Sequence, residues 1–550
     1  MKKLLILLIT AANFAQAQVP VFKSIDINNG VGNHSAAFGF INFNGKFIFG
    51  ATTDTAGTEP WISDGTIAGT KQIKNTNPGA SGGLTSNVQF LACNGNVFFS
   101  ADDGVHGWEP WITDGTEAGT YMIKDINPGS ARGCLFPFAT LNGKVFFIGN
   151  DGVNGEELWI TDGTASGTNL LKDIKTASLS SSISQFTVFN SKLYFAAWDL
   201  SHGQELWVTD GTTAGTQMVM DINPGTNNSN IGILCEYNGK LYFHAQDDTH
   251  GLELWSTDGT AGGTQMVKDI WPGSNPGVPG LFNYCAVYNS KLYFPANDGT
   301  NGVELWSSDG TTGGTQMVKD INLSGNGDPT YLMVYKGKLY FSAADVDHGY
   351  ELFSSDGTAA GTQIVKDIFP GASVSNSSMP GYLFAGKNRF YFTAQSTTNN
   401  TQLWQSDGTD TGTKMISPVV TPNNNALVNT LEFFFYPQDS SFYFTANFNT
   451  IGNELWSLKD TTGATTIAAL TNSNGISIYP NPNKGIFEIS IKDHFLKATT
   501  TVYDMHGRMI YSTDLHKQAT KLYLKDVPAG NYVVNILVDN NNYSRLLQIQ

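Results

Sequence analysis

The sequence predicts an all-β protein: a large β-propeller of about eight or nine four-stranded blades, followed by a small C-terminal β-sandwich. Three observations support this prediction. A short stretch recurs along the chain at intervals of 47 to 52 residues, a period typical of solenoids and propellers. Each repeat holds four short apolar segments separated by turn residues. Glycine is frequent, at 59 residues, while charged residues make up only 14%, a balance found in turn-rich β proteins.

The recurring stretch is residues 253–264, which carries a tryptophan and then an Asp-Gly-Thr turn. Its copies are marked by Trp61, Trp111, Trp159, Trp207, Trp255, Trp306, Phe353, Trp404 and Trp456. The ninth copy has lost the Asp-Gly-Thr turn. Because propellers commonly have about four to eight blades, the pattern allows eight blades or nine.

Residues 233–273 show how one repeat is built. Two apolar segments, 233–237 and 240–245, are separated by Asn238-Gly239, a two-residue hairpin signal. Two more segments follow at 252–257 and 264–270. All four are too short for helices, and their runs of consecutive apolar residues require cover on both faces. We therefore predict a blade packed between two neighbours, with Trp255 filling the interface.

The two ends of the repeat region differ from the rest. Residues 21–30 resemble a fourth strand without the other three, and we expect this strand to pair with the final repeat and close the ring. From residue 471 the repeat disappears and short β segments follow, which favours a small sandwich. The predicted domains are a signal peptide at 1–17, a propeller at 18–470 and an immunoglobulin-like β-sandwich at 471–550.

The signal peptide is indicated by Lys2-Lys3, an apolar run over 4–12 and the cleavage pattern Ala15-Gln16-Ala17. No other stretch is long and apolar enough to span a membrane. The mature chain is therefore expected to lack a transmembrane segment. The formal charge of −16, from 47 acidic and 31 basic residues, disfavours nucleic acid as a partner.

The four cysteines show neither metal-ligand spacing nor a compact disulfide framework. They are Cys93, Cys134, Cys235 and Cys285. Relative to the turn that follows each strand, Cys235 and Cys285 differ by one position, so they should point to opposite strand faces. We expect all four to be buried free thiols, because free cysteine behaves as a small hydrophobe.

These motifs resemble those of two known families. The Glu-Leu-Trp and Asp-Gly-Thr repeats are similar to the ELWxxDGT (hyalin-like) repeats of exported bacterial proteins, over roughly residues 20–470. The tail resembles the type A C-terminal sorting domain of the type IX secretion system. That likeness rests on Tyr503-Asp504 and Asn531 together with Tyr479, Pro480, Asn481, Pro482, Gly485, Gly507, Gly530 and Tyr532. It implies export, recognition of the tail by the secretion machinery, and release or surface attachment at the outer membrane.

The Asp-Gly-Thr turn occurs eight times, with Asp64, Asp114, Asp162, Asp210, Asp258, Asp309, Asp356 and Asp407. Each aspartate could be a calcium ligand. The turn interpretation is favoured, because the carboxylate can accept backbone N–H bonds and glycine supplies a positive φ. The sequence also lacks the dense alternating acids of a calcium loop.

A second pattern places Asp, then His or Asn, then Gly, then Glu between the second and third strands. Its members are Asp103, His106, Glu109, Asp151, Asn154, Glu157, Asp199, His202, Glu205, Asp247, His250, Glu253, Asp298, Asn301, Glu304, Asp345, His348 and Glu351. This loop should share one mouth of the propeller with the connections between blades. The resulting ring of acids could bind cations or sugar hydroxyls; the alternative is a structural hairpin whose Glu pairs with a neighbouring blade.

Catalytic chemistry finds little support, because no single repeat carries an acid, base or nucleophile that the others lack. His244 is the nearest candidate, and a lone strand histidine favours a structural role. We predict a non-enzymatic, secreted or surface-attached monomer that binds a glycan or a protein as an adhesion module. No cofactor is expected, with calcium the one candidate. The alternatives are an extracellular polysaccharide hydrolase or lyase and a purely structural envelope component.

Overall fold

Nine four-stranded antiparallel sheets form in the repeat region of the computed structural model, one for each copy of the repeat. The structure describes residues 21–28, 34–79, 81–86, 88–279, 285–371, 376–397, 400–417, 427, 432–448, 453–459, 476–479, 485–491, 498–503, 509–524, 527–528, 530–538 and 541–549. The predicted propeller is confirmed, and it has nine blades. The predicted signal peptide lies outside the described residues.

The strands of the first four blades follow β1 (Val21–Ile25) in the chain. Blade 1 contains β2 (Phe38–Phe43), β3 (Lys46–Thr53), β4 (Gly57–Ser63) and β5 (Lys71–Gln72). Blade 2 contains β6 (Leu91–Cys93), β7 (Asn96–Asp102), β8 (Trp108–Thr113) and β9 (Tyr121–Met122). Blade 3 contains β10 (Cys134–Leu141), β11 (Lys144–Asn150), β12 (Glu156–Thr161) and β13 (Asn169–Lys172). Blade 4 contains β14 (Ser184–Phe189), β15 (Lys192–Asp199), β16 (Gly203–Thr209) and β17 (Gln217–Met220).

The remaining blades repeat this arrangement. Blade 5 contains β18 (Gly232–Tyr237), β19 (Lys240–Ala245), β20 (Glu253–Thr257) and β21 (Gln265–Lys268). Blade 6 contains β22 (Ala286–Tyr288), β23 (Lys291–Asn297), β24 (Val303–Ser308) and β25 (Gln316–Lys319). Blade 7 contains β26 (Thr330–Tyr335), β27 (Lys338–Asp345), β28 (Gly349–Ser355) and β29 (Gln363–Lys366). Blade 8 contains β30 (Gly381–Ala385), β31 (Phe390–Thr397), β32 (Asn400–Ser406) and β33 (Lys414–Met415). Blade 9 contains β34 (Phe434–Tyr436), β35 (Ser441–Ala446), β36 (Glu454–Lys459) and β1.

Within blades 1 to 8 the strands lie in sequence order, and in blade 9 β34, β35 and β36 do so with β1 added at the outer edge. The first of the four strands is innermost, because the first strands of neighbouring blades contact one another. In blade 5 the hairpin between β18 and β19 has φ values of 49° at Asn238 and 72° at Gly239, which match the right-handed twist of the strands. Both residues were predicted to form this turn.

The hydrophobic core is divided among the interfaces between blades. Trp255 of blade 5 packs against Tyr194 and Leu206 of blade 4 in one buried cluster, and Trp306 of blade 6 lies in the equivalent cluster with Tyr242 of blade 5. Trp255 is 6% exposed and Trp306 is 5% exposed. The predicted role of this residue as the filler of each interface is confirmed.

Strand β1 closes the ring. It pairs antiparallel with β36 as the outermost strand of blade 9, with Val21 opposite Lys459 and Ile25 opposite Leu455. At the inner side, β34 of the same blade contacts β2 of blade 1. The expected closure is confirmed, and it leaves β36 without a free edge.

The C-terminal segment forms two further antiparallel sheets. Its strands are β37 (Ile476–Tyr479), β38 (Ile486–Ile491), β39 (Ala498–Tyr503), β40 (Met509–Leu515), β41 (Ala519–Tyr523), β42 (Gly530–Val538) and β43 (Asn541–Ile549). One sheet has the order β37-β38-β41 and the other β40-β39-β42-β43. Phe487 from the first sheet and Val534 from the second lie in one buried cluster, so the two sheets pack as the predicted sandwich.

Some predicted features of the tail can be placed. Gly485 has a φ of 78° and its carbonyl accepts a hydrogen bond from the N–H of Leu524 at 2.7 Å. Tyr532 is buried and its hydroxyl donates to the carbonyl of Pro528 at 2.6 Å. Gly530 begins β42. The predicted motif residues Pro480, Asn481, Pro482 and Gly507 lie outside the described residues.

The four cysteines are free, with Cys134 buried and the other three half-buried. The expectation of complete burial therefore holds for Cys134 only. No helix in the part of the chain that the structure describes is long and apolar enough to cross a membrane.

Candidate functional site

The propeller has two rims with different chemistry. We call the rim with the hairpins such as Asn238-Gly239 and the Asp-Gly-Thr turns the turn rim. We call the opposite rim, with the loops between second and third strands such as 246–252 and the connections between blades, the loop rim. These names follow from strand direction, since alternate connections of an antiparallel sheet lie at opposite ends.

At the turn rim the Asp-Gly-Thr motif is structural. Asp258 Oδ1 accepts hydrogen bonds from the N–H of Thr260 at 2.9 Å and from its hydroxyl at 2.7 Å. Gly259 has a φ of 96°, which favours glycine. The other seven copies make the same two bonds. Because the carboxylate is engaged by its own turn, the predicted turn interpretation is confirmed.

At the loop rim the predicted glutamates do not reach the surface. Glu253 is fully buried. Its carboxylate accepts backbone N–H bonds from Ile270 at 2.7 Å, Trp271 at 3.2 Å and Gly277 at 3.0 Å. These donors lie in the segment that leads from β21 into blade 6. Glu109, Glu157, Glu205, Glu304 and Glu351 are equally buried and bind the equivalent segments.

The predicted ring of acids therefore lacks its glutamates. The structural alternative is nearer to the finding, although each Glu binds backbone N–H groups of the outgoing connection rather than a side chain of the neighbouring blade. Glu59 and Glu454 have the same role and were not predicted, because their loops lack the full Asp and His pattern. The sequence feature that could have identified both residues is a Glu two residues before the tryptophan of the repeat.

Burial has a strong effect on these carboxyls. It raises the pKa of Glu253 to about 7, against the lowering effect of the N–H bonds from Ile270 and Trp271. The pKa of five others is also about 7 for the same reason: Glu109, Glu157, Glu205, Glu304 and Glu351. The loop rim thus holds a set of internal acids that titrate near neutrality.

The Asp and His residues of the same loops are half-buried and bind each other. Asp247 Oδ1 accepts the N–H groups of Thr249 at 2.8 Å and His250 at 2.7 Å, and His250 Nδ1 lies 2.9 Å from both carboxylate oxygens. Asp103 with His106, Asp199 with His202 and Asp345 with His348 repeat this pair. Asn154 and Asn301 donate in the same way to Asp151 and Asp298.

The pair in blade 5 shifts the pKa of both partners. The hydrogen bond that the His250 imidazole donates to the Asp247 carboxylate raises the pKa of His250. Burial opposes ionisation of Asp247, but the bonds from His250 hold its pKa below the ordinary value. Among the described residues, no group of three or more His, Cys, Asp or Glu is arranged to hold a metal ion. Calcium stays a prediction, and the engaged loop aspartates are poor candidates for its ligands.

His244 occupies a structural position. Its side chain is 4% exposed, and burial lowers its pKa to about 4. It lies opposite Gly232 in the adjacent strand, where a Cβ would collide with the imidazole. A neutral, enclosed imidazole fits the predicted structural role.

One place on the loop rim differs from the rest. A cleft of about 340 Å³ opens between blades 2 and 3. We call it the blade 2–3 cleft. Arg132 lies with its guanidinium 5.9 Å from the ring centroid of Trp108, within cation–π range. Phe136 is 42% exposed. The other lining residues are Thr85, Val88, Gln89, Ser100, Cys134, Leu135 and Phe138.

The walls of the cleft are held by hydrogen bonds between blades. The Gln89 amide accepts the N–H of Phe138 at 2.8 Å and donates to the carbonyl of the same residue at 3.2 Å. The Ser100 hydroxyl donates to the carbonyl of Cys134 at 3.1 Å. The amide oxygen and nitrogen of Gln89 and the hydroxyl of Ser100 therefore have hydrogen-bond partners within the protein. Arg132 is the charged side chain among the residues that line the cleft. Among the described residues it forms no ion pair.

Trp108 and Arg132 break the symmetry of the repeat. The residue before the buried glutamate is Trp108 here and Thr58, Glu156, Gln204, Leu252, Val303 or Tyr350 in other blades. The counterparts of Arg132 are Gly82, Ser180, Asn228, Pro276, Asn326 and Ser377, none of them charged. Neither residue was predicted as part of a site. The available signal was their departure from the repeat.

A second cation–aromatic pair lies one blade further along the same rim. Lys175, in the connection from blade 3 to blade 4, has its ammonium 3.7 Å from the ring centroid of Trp198. Trp198 ends near the loop rim in β15 and is 36% exposed. Blades 2 to 4 therefore present two cations and two large aromatic rings on an otherwise acidic chain.

Comparison with protein families identifies the tail. The model of the secretion system C-terminal sorting domain matches residues 477–550. The chain therefore carries the C-terminal sorting domain of the type IX secretion system. Such a tail indicates export to the extracellular space or the outer-membrane surface and interaction with the type IX machinery.

Comparison with solved structures gives distant likenesses. No curated protein matches the chain. A puromycin hydrolase is 14% identical with a TM-score of 0.32, covering 67% of this chain and 59% of its own. This chain thus spans about three fifths of that enzyme. The extracellular domain of a putative hybrid two-component system from B. thetaiotaomicron is 12% identical with a TM-score of 0.33, covering 95% and 76%. Likenesses this weak assign neither activity nor substrate.

Proposed function

We propose that this exported propeller is a non-enzymatic binding module, which holds an extracellular glycan or protein in the blade 2–3 cleft and serves in adhesion or interaction at the cell surface. The observation that carries this proposal is the contrast on the loop rim. The repeated acids are engaged within the fold, whereas Trp108 and Arg132 occur once and flank an open cleft. Exposed aromatic rings beside a guanidinium suit a ligand with an apolar face and an acidic group.

The lining of the cleft supports binding over catalysis. It contains no carboxylate and no imidazole, the groups that serve most often as general acids and bases. The potential nucleophiles of the lining are the hydroxyls of Thr85 and Ser100 and the thiol of Cys134. The Ser100 hydroxyl donates to the carbonyl of Cys134, and burial holds the pKa of the Cys134 thiol well above the ordinary value. A thiol that stays protonated is a weak nucleophile.

A glycan array combined with a reducing-sugar release assay tests the proposal. The full exported chain should bind one ligand class without turnover. Trp108→Ala should abolish that binding, while Gln204→Ala, the same position in blade 4, should leave it unchanged. Turnover by the wild-type chain, or equal binding by the Trp108→Ala variant, would overturn the proposal. Turnover would support the hydrolase or lyase alternative.

A further inference from the structure

Two cysteines of neighbouring blades lie at nearly the same height in the propeller. Cys235 is in β18, three residues before Asn238, and Cys285 precedes β22 by one residue, four residues before Asn289. Their positions differ by one residue, so the two side chains point to opposite strand faces. Opposite faces of adjacent blades face each other, which directs both thiols into the interface between blades 5 and 6.

Contacts in the structure bring the two sulfurs together. The Cys285 thiol donates a hydrogen bond to the carbonyl of Leu234, the residue before Cys235, at 3.1 Å. Both cysteines pack against the buried cluster that includes Tyr242 and Leu254. A hydrogen bond between the two thiols, together with burial, raises the pKa of Cys235 well above its ordinary value.

The other two cysteines provide an internal contrast. Cys93 is the last residue of β6, beside the hairpin of the turn rim. Cys134 is the first residue of β10, at the loop rim. Although their blades are adjacent, the two residues lie at opposite ends of neighbouring strands. A disulfide requires Cα atoms within about 7 Å. Because Cys93 and Cys134 lie at opposite strand ends, they are too far apart to form one.

We propose that Cys235 and Cys285 are oxidised to a disulfide that joins blades 5 and 6 in the exported protein. The oxidant is a protein or small-molecule disulfide of the oxidising compartment outside the cytoplasm. One cysteine thiol loses its proton and attacks a sulfur of the oxidant, which breaks the oxidant's S–S bond and releases one thiolate. The second cysteine thiolate then attacks the mixed disulfide and displaces the other oxidant thiolate. Two thiols are oxidised, and the oxidant is reduced to two thiols.

The bond ties two blades covalently at the centre of the ring. Elsewhere in the described chain, neighbouring blades are held by non-covalent contacts: apolar packing, hydrogen bonds and the ion pair of Lys366 with Asp410. The bond closes a loop of about 50 residues, which restricts the unfolded chain. Because both thiols are half-buried once the blades pack, we expect oxidation to be fastest while blades 5 and 6 come together.

Peptide mapping tests this inference independently of the proposed function. The full exported chain, purified without reductant, is denatured, alkylated, digested and analysed by mass spectrometry. The expected result is a linked pair of peptides containing Cys235 and Cys285, lighter than the reduced pair by two hydrogen atoms, with Cys93 and Cys134 alkylated. Alkylation of both Cys235 and Cys285, or a link from either to Cys93 or Cys134, would overturn the inference.

A stability measurement gives a second readout. Reductant should lower the melting temperature of the wild-type chain by a few degrees. It should lower that of Cys93→Ala by the same amount, because that variant keeps the bond. Reductant should leave the melting temperature of the Cys285→Ala variant unchanged. An equal response of wild type and Cys285→Ala to reductant would contradict the inference.

Discussion

The loop of blade 5 and the blade 2–3 cleft lie on the same rim but use their polar groups in opposite ways. In blade 5, Glu253 and Asp247 accept hydrogen bonds from the protein itself. In the cleft, Arg132 lies beside Trp108 and forms no ion pair with a described residue. The comparison teaches that repetition marks architecture here, and that the departure from repetition marks the surface where we propose that a partner binds.

The largest expected effect is on the architectural side. Glu253→Ala should destabilise the propeller by about 3–5 kcal/mol, because three buried N–H groups lose their acceptor. Glu253→Gln keeps one acceptor oxygen and should cost about 1–2 kcal/mol. Urea denaturation measures both. A loss below about 1 kcal/mol for the alanine variant would show that the buried carboxylate is dispensable.

On the binding side, Arg132→Gln should lower the affinity for the proposed ligand about tenfold, equivalent to about 1.4 kcal/mol. The melting temperature should stay unchanged. Lys144→Gln is the matched control, since it removes one positive charge from the same blade at the opposite rim. Isothermal titration calorimetry with the ligand found by the array gives both affinities. If both variants lowered the affinity equally, Arg132 would contribute only through the net charge of the protein and not through contact with the ligand.

The two regions should also differ in pH dependence. The folded pKa of six buried glutamates is about 7 against an ordinary 4.5, so the folded state binds more protons between these values. Their contribution is fully present below pH 4.5 and is lost as the pH rises through 7. The raised pKa of the loop histidines acts in the same direction, with a contribution present below pH 6.5 and lost above the folded pKa.

The melting temperature should therefore fall between pH 5 and pH 8 by a few degrees. Asp247 and four other loop aspartates have lowered pKa values: Asp103, Asp151, Asp199 and Asp298. Their stabilisation is lost only as the pH drops below 3.8. Thermal melts across this range provide the measurement. His250→Asn, which copies the Asn154 loop, should flatten the curve slightly, and a melting temperature that rises from pH 5 to pH 8 would contradict the assignment.

The smallest expected effect is that of a chelator. Because Asp247 and its equivalents already accept hydrogen bonds within their loops, removal of calcium should leave the melting temperature unchanged. Differential scanning calorimetry with and without chelator measures this. A lower melting temperature in chelator that calcium restores would indicate a bound cation at the loop rim. The loop aspartates would then bind a ligand as well, and would differ less from the cleft.

Sequence reasoning reached the fold because local signals agreed with the global arrangement. The spacing of the tryptophans, the Asn238-Gly239 hairpin and the Asp258 turn each depend on nearby residues. The partners of Glu253 are 17 to 24 residues away, so no local pattern revealed its burial. Trp108 and Arg132 meet only because blades 2 and 3 pack together, and their departure from the repeat did not show by itself that they share a cleft.

The pairing of Val21 with Lys459 brings the two ends of the described repeat region together. The chain enters the ring and leaves blade 9 at the same point on the turn rim. The blade 2–3 cleft opens on the opposite rim, so neither end of the repeat region lies on the rim that carries the cleft.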